Sequence, residues 1–181
     1  MPVGCPTQIL ALVAGHPLVV PYLDIPFQHA SERVLQAMGR SGSSAEFIRL
    51  VEWIRAKLPT VTLRTTLMVG FPGETDDDFQ ELYDFVAEVR FQRLGIFAYS
   101  PEPGTAAARL GDSVPKRVKT RRLRKLAALQ EKISLAYHRR LFKRAQWTPP
   151  IFNRPDAECV GSISQGFPRV ASRQLFTIHP D

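Results

Sequence analysis

The apolar positions of this chain change period along its length, and each change marks an element. Residues 7–14 (TQILALVA) are apolar enough for the end of a packed helix, which Gly15 and Pro17 stop. Residues 18–25 (LVVPYLDI) read as a strand that Pro21 weakens locally. Pro26, Phe27, Gln28 and His29 close it, and Ser31 is placed to cap a helix over 32–38. A flexible break follows at 39–44 (GRSGSS), where Ser43 and Glu46 have the spacing of a capping box. Phe47, Val51, Ile54 and Leu58 then recur as one stripe of an amphipathic helix that ends before Pro59.

Residues 63–69 form a short β-branched and apolar run, the composition of a strand buried on both faces. The run passes straight into Gly70-Phe71-Pro72-Gly73, whose two glycines let backbone approach a bound group closely. Thr75 caps the next helix, and Asp76, Asp77 and Asp78 in its first turn complement the helix dipole. Phe79, Leu82, Val86 and Val89 mark that helix's buried face, and 94–99 (LGIFAY) is a third strand with 100–105 (SPEPGT) as its exit loop.

The middle of the chain therefore spells strand–helix–strand–helix–strand, which the connection rules turn into right-handed parallel βαβ units. Gln28, the Gly70–Gly73 turn and the Tyr99–Ser100 exit all fall at strand carboxyl ends, where α/β folds bind ligands. The turn lacks the GxGxxG and GxxxxGK[ST] patterns, which argues against a Rossmann or P-loop nucleotide site. Three strands leave a parallel sheet with an unfilled edge, and the strands that would fill it are expected before residue 18.

Pro115 suits the first position of a long helix running to about Arg144, with Leu126, Leu129, Ile133 and Ala136 as its inward stripe. Charge changes the picture here. Residues 115–144 hold twelve Lys and Arg against the single acid Glu131, so the net charge of +7 belongs to this segment. Its basic residues are expected to cover the helix's other faces, as a solvated surface or as a contact with RNA or the ribosome. Beyond Gln146, five prolines interrupt every apolar run and predict an irregular tail. The expected organisation is thus residues 1–114, 115–145 and 146–181.

Composition adds bounds. Hydrophobic content of 44% and charged content of 23% describe an ordinary globular protein. No apolar run approaches the roughly 18 residues of a membrane span, and no signal peptide opens the chain, so no membrane contact and a cytoplasmic location are expected. Cys5 and Cys159 lie far apart, without a CxxC or Cys/His cluster, and read as reduced thiols rather than metal ligands. They are too few to hold an iron–sulfur cluster.

Four segments together carry a family resemblance: YLDIPFQHAS (22–31), VLQAMGRSG (34–42), LRTTLMVGFPGET (63–75) and RLGIFAYSPEPGTAAA (93–108). In order and spacing they resemble the radical S-adenosylmethionine (radical SAM) methylthiotransferases, over about residues 7–144. His29, Gly42 after Met38-Gly39-Arg40, and Arg64-Thr65-Thr66 resemble the branch that methylthiolates an aspartate of small-subunit ribosomal protein twelve. The tRNA-modifying branch is the alternative, and a non-catalytic fragment acting as a basic interaction module is another.

The resemblance implies an α/β fold, the carboxyl-terminal half of a partial (β/α)6 TIM-like barrel, holding strands four to six. It implies S-adenosylmethionine and 4Fe–4S clusters as cofactors. The CxxxCxxC cluster ligands are not in this chain and are expected before residue 1, so the chain alone is expected to be inactive. Carried onto this sequence, the resemblance brings Gly70, Phe71, Pro72 and Gly73 against the adenine or ribose. Glu74 and Thr66 would bond hydroxyls or the methionine amino group, and Arg64 would form a fork for the methionine carboxylate. Gln28 would bond the ribose, and Tyr99 and Ser100 would close the top of the last strand. No catalytic residue and no metal ligand are assigned within the chain. The tail stands where the family carries a small β-barrel, the TRAM domain, and its prolines predict a degraded one.

Overall fold

Strand β2 (Thr62–Val69), in which buried and half-buried residues alternate, lies at the centre of a three-stranded sheet. Strands β1 (Tyr22–Asp24) and β3 (Arg93–Ala98) flank it, and both run parallel to it. Helices α2 (Glu32–Ala37) and α3 (Ser44–Lys57) connect β1 to β2, and α4 (Asp76–Val89) connects β2 to β3. Helix α1 (Thr7–Gly15) precedes the sheet and α5 (Lys116–Ala145) follows it. The structure, a computed structural model, describes residues 7–16 and 18–145; the expected irregular tail and both cysteines lie outside the described residues.

The strand expected over 18–25 shrinks to three residues. Leu18 and Val20 are exposed, and Pro21 has no N–H to give to a ladder. Its carbonyl instead accepts from Thr62 N at 2.7 Å, just before regular pairing begins. Asp24 stands opposite Arg64, yet the next bridge joins Gln28 to Leu67, so β1 carries one extra residue. Gln28 takes up that residue with a φ of 69°, a left-handed conformation uncommon for glutamine.

The expectation that β2 is buried on both faces is corrected. Leu63, Thr65, Leu67 and Val69 are buried, whereas Thr62, Arg64, Thr66 and Met68 are half-buried. The first set packs under the helices with Val51 and Ile54 of α3, Phe79, Leu82 and Phe85 of α4, and Leu126 and Ile133 of α5. Phe85 stands edge-on to Phe27 at 5.8 Å and near Phe91 at 5.7 Å, so aromatic area adds to aliphatic burial in this layer. The second set faces the opposite side of the sheet, where Met68 packs against the cluster of Val34, Phe71 and Tyr99.

Helix α4 buries the four residues its period predicted. On α5, Leu126 and Ile133 are buried and Leu129 and Ala136 half-buried, as expected, but the basic residues are not all outward. Lys119 and Arg122 are only 5% and 3% exposed. Stepping the apolar stripe back from Leu126 by four and then three residues lands on these two cations, so the helical period itself turns them inward. Among the described residues no helix is long and apolar enough to cross a membrane.

Candidate functional site

The three strands deliver their exits to one rim. Gln28 N donates to the Thr66 carbonyl at 2.9 Å, Met68 N donates to the Gln28 carbonyl at 2.8 Å, and Tyr99 N donates to the Val69 carbonyl at 2.9 Å. Gln28, the 70–73 turn and Tyr99 are thereby fastened to the same end of β2. Below the rim lies the half-buried sheet face. A Cβ built on Gly95 would stand 3.5 Å from Thr66 Oγ1 and 3.9 Å from Arg64 Nη2, which places all three residues on that face. Arg64 pairs with Asp24, but both side chains are well exposed, and such a pair is worth about 0–1 kcal/mol. The guanidinium can exchange that partner for another carboxylate at little cost. Phe71 meets Tyr99 edge to face at 5.3 Å, and with Val34 they make a small apolar cluster beside the turn.

The turn is bent by two left-handed glycines, Gly70 at φ 75° and Gly73 at φ 81°. Glu74 folds back over it, and its Oε2 accepts from the amides of Gly70 and Phe71, the latter at 3.1 Å. Glu74 Oε1 lies 3.1 Å from Arg122 Nη1, a close ion pair rather than an aligned hydrogen bond. Arg122 also donates to the Glu74 carbonyl at 3.2 Å and to Asp76 Oδ1 at 2.8 Å. Burial raises the Glu74 carboxyl pKa, with Arg122 and the two amides opposing it. Gly73 is held from both sides: its N–H donates to Ser113 Oγ at 2.8 Å and its carbonyl accepts from Arg33 at 2.8 Å.

The two glycines differ in what a side chain would meet. A Cβ on Gly70 would overlap Lys119 Cγ, whereas one on Gly73 would find only Arg33 Nη1, at 3.9 Å. Gly70→Ala is therefore expected to destabilise the chain by about 2–4 kcal/mol, from backbone strain plus displacement of Lys119. Gly73→Ala carries the backbone term alone, about 1–2 kcal/mol. Urea unfolding of the two variants measures the difference, and equal losses would mean that Lys119 yields freely.

Behind the turn sits Asp78, the third residue of α4. Its Oδ2 accepts from Thr75 N at 2.7 Å and Thr75 Oγ1 at 2.6 Å and pairs with Arg33, while Oδ1 accepts from Ser31 Oγ at 2.7 Å. Thr75 Oγ1 in turn accepts from Asp78 N, so the helix start is a complete capping box. Ser31 stands at the start of α2 as expected but makes no side-chain cap there, its hydroxyl being spent on Asp78. Burial alone would raise the Asp78 carboxyl; the bonds from Thr75, Arg33 and Ser31 outweigh it and hold it well below the usual carboxylate range.

His29 is fully buried next to this cluster. Its Nδ1 accepts from Ser31 N at 3.0 Å, which leaves Nε2 as the protonated nitrogen, without a partner among the described residues. Desolvation lowers its pKa from 6.5 to about 4, against the pull of Asp78 and with the push of Arg122 and Arg33.

Of the ten expected site residues, Gln28, Gly70, Phe71, Pro72, Gly73, Tyr99 and Ser100 meet at the rim, and Arg64 and Thr66 lie below it. Glu74 is turned away from the rim into the protein, its side chain fully enclosed. Of the supporting residues, Ser31 and Asp78 were legible in sequence only as helix-start residues, and Arg33, Lys119 and Arg122 were not singled out. The two α5 cations left a signal in their phase on that helix.

Fit to the implied cofactors divides. Among the described residues no group of three or more His, Cys, Asp or Glu could hold a metal ion, so these residues do not supply an iron–sulfur cluster. The residues present are compatible in kind with an adenosyl ligand: the Tyr99 hydroxyl is buried without a partner among the described residues, a Cβ on Gly73 would meet nothing nearer than Arg33 at 3.9 Å, and Arg64 and Thr66 offer half-buried polar groups.

Comparison with known proteins follows the same lines. The Radical SAM superfamily matches residues 5–86. The chain is 54% identical over 128 residues to the ribosomal protein uS12 methylthiotransferase RimO of Pelotomaculum thermopropionicum, covering 71% of this chain and 29% of that protein. With the protein of the same name from Desulforudis audaxviator it shares 48% over 138 residues, covering 76% and 31%. The chain thus spans about three-tenths of the length of these curated relatives. The solved structure of Escherichia coli coproporphyrinogen III oxidase (HemN), a radical SAM enzyme, superposes with a TM-score of 0.55 at 21% identity, covering 76% of this chain and 30% of that one. At that identity the likeness speaks for the fold. Parallel strands, shared rim and sequence relatives agree: the chain carries a Radical SAM superfamily match over residues 5–86 and is similar over about three-quarters of its length to part of proteins named uS12 methylthiotransferase.

Proposed function

We propose that this chain is part of a radical SAM methylthiotransferase that modifies an aspartate β-carbon of ribosomal protein uS12, with S-adenosylmethionine held against the rim of its three strands. The observation that carries the reading is the convergence of Gln28, the 70–73 turn and Tyr99 on the carboxyl end of β2. When bound, S-adenosylmethionine supplies the hydrogen-abstracting chemistry of the superfamily, and the fold's task is placement.

In this reading the Gly70–Gly73 backbone lies against the adenine or ribose, and Gln28 bonds the ribose. Arg64 leaves Asp24 for the methionine carboxylate, with Thr66 beside it. Phe71 and Tyr99 form the apolar wall that keeps water out, and Ser100 closes the end of β3. Glu74 contributes by holding two amides of the turn. Residues 1–114 act as the barrel part. Arg117, Arg121, Arg124 and Lys132 of α5 are exposed and would meet phosphates of ribosomal RNA near the substrate.

The test joins the chain to the cluster-bearing amino-terminal segment of a uS12 methylthiotransferase and measures S-adenosylmethionine binding and uS12 modification. Gln28→Asn, which keeps tolerance of the left-handed backbone while shortening the amide, and Gly73→Val are each expected to weaken binding about tenfold, the worth of one lost hydrogen bond or one misplaced turn. Unchanged binding in both would remove the cofactor assignment. Modified tRNA in place of uS12 would move the chain to the tRNA-modifying branch.

A further inference from the structure

Helix α5 reaches the rim with two buried cations three residues apart, and the cofactor reading above uses neither. Lys119 Nζ donates to the Tyr99 carbonyl at 2.8 Å and pairs with Asp112, tying down the end of β3. Arg122 ties down the turn after β2. A solvated basic face needs no such contacts, and a buried guanidinium costs several kcal/mol unless it is paired. Arg122 is paired with the carboxylate that accepts the Gly70 and Phe71 amides. Guanidinium, carboxylate and two turn amides thus form one chain of contacts, running from a helix 48 residues away in sequence to the proposed cofactor loop.

We propose that Arg122 is a positioning residue for the 70–74 turn: it holds the Glu74 carboxylate against the Gly70 and Phe71 amides, so that α5 sets the backbone the rim presents. Its effect on cofactor binding rests on the cofactor reading, but the clasp itself does not. The charged groups that act on Glu74 are Arg122 from α5, itself paired with Asp76, and Asp78 from α4, itself bound by Ser31 and Arg33, while Lys119 lies against Gly70. Take away Arg122 and the only cation paired with this carboxylate among the described residues is gone. Burial and the nearby Asp78 then favour the neutral acid. A protonated carboxyl is a poorer acceptor for two amides and brings a donor that needs its own partner.

The test is the pH dependence of the Gly70 and Phe71 amide resonances in the 181-residue chain, from about pH 5 to about pH 8, with amide exchange measured on the same samples. In the wild type both amides are protected, and their resonances follow the Glu74 titration. In Arg122→Met both amides exchange at least about tenfold faster, and that titration moves to higher pH, while the β2 amides keep their protection. Adding Glu74→Gln to Arg122→Met abolishes the titration, and Arg122→Lys, which restores a cation, moves it part of the way back. A packing role for Arg122 alone predicts no such shift. Wild-type pH behaviour of Gly70 and Phe71 in folded Arg122→Met overturns the proposal; if that variant does not fold, wild-type exchange at both amides in Arg122→Gln overturns it instead. In the cluster-bearing assembly, Arg122→Met is expected to weaken S-adenosylmethionine binding and Arg122→Lys to recover it. An intact clasp with no S-adenosylmethionine binding in the wild type would sink the cofactor reading and leave the clasp standing.

Discussion

Asp78→Ala is expected to destabilise the chain by about 2–4 kcal/mol, as much as Gly70→Ala. Three losses combine. Thr75 N and Oγ1 lose their acceptor, which removes half of the capping box that starts α4. Ser31 Oγ, on a residue only 3% exposed, is left without its bond. Arg33 loses the carboxylate that steadies it while it donates to the Gly73 carbonyl. The Arg33 term is the smallest, because that side chain is 57% exposed and water replaces much of what it loses. Asp78→Asn keeps one acceptor oxygen and should cost about half as much. Urea unfolding monitored by circular dichroism measures both. A loss below about 0.5 kcal/mol in Asp78→Ala would show that the 31–33 segment and the turn are not coupled through this residue.

Acidification supplies the second large effect, and its sign follows from His29. The folded pKa of about 4 lies below the ordinary value of 6.5, so the neutral form is the one the fold holds. The associated stability is fully present above pH 6.5 and is lost as pH falls through 6.5 toward 4. At 1.36 kcal/mol for each tenfold step this is roughly 3 kcal/mol, undiscounted because the ring is fully buried. Asp78, held low, adds a loss of the same sign below its unfolded value near 3.8. Glu74 opposes both: its raised carboxyl takes up its proton in the folded state first, which favours the fold on acidification. The difference between wild-type and His29→Asn profiles therefore isolates the histidine, since asparagine can still accept from Ser31 N but does not titrate. Parallel profiles between pH 7 and 4 would mean that His29 gains solvent as readily as it gains a proton.

The stretch from Thr62 to Val89 was legible before any coordinates. Its strand, its turn and its helix each follow from contacts within a few residues, and α4 buries the four positions that its period names. Parallel order was legible too, because a helix between two strands leaves one right-handed way to close. What failed locally failed for lack of a neighbour. Residues 18–20 are apolar enough for a strand, but pairing starts only at Tyr22, beyond the proline that cannot donate. Strand β2 was read as buried twice because apolar composition reports affinity for a core and not which face has a layer to meet.

What the sequence by itself determined is the set of elements, their parallel order, the rim shared by Gln28, the 70–73 turn and Tyr99, and the family resemblance. Only the tertiary structure decided the partners. Arg122 with Glu74, Ser31 with Asp78 and Lys119 with the Tyr99 carbonyl join residues 48, 47 and 20 positions apart. Period tells that a charged residue points inward, but a cation is stable there only if a carboxylate or carbonyl waits within about 3 Å, and that distance is set by how α5 lies across the sheet.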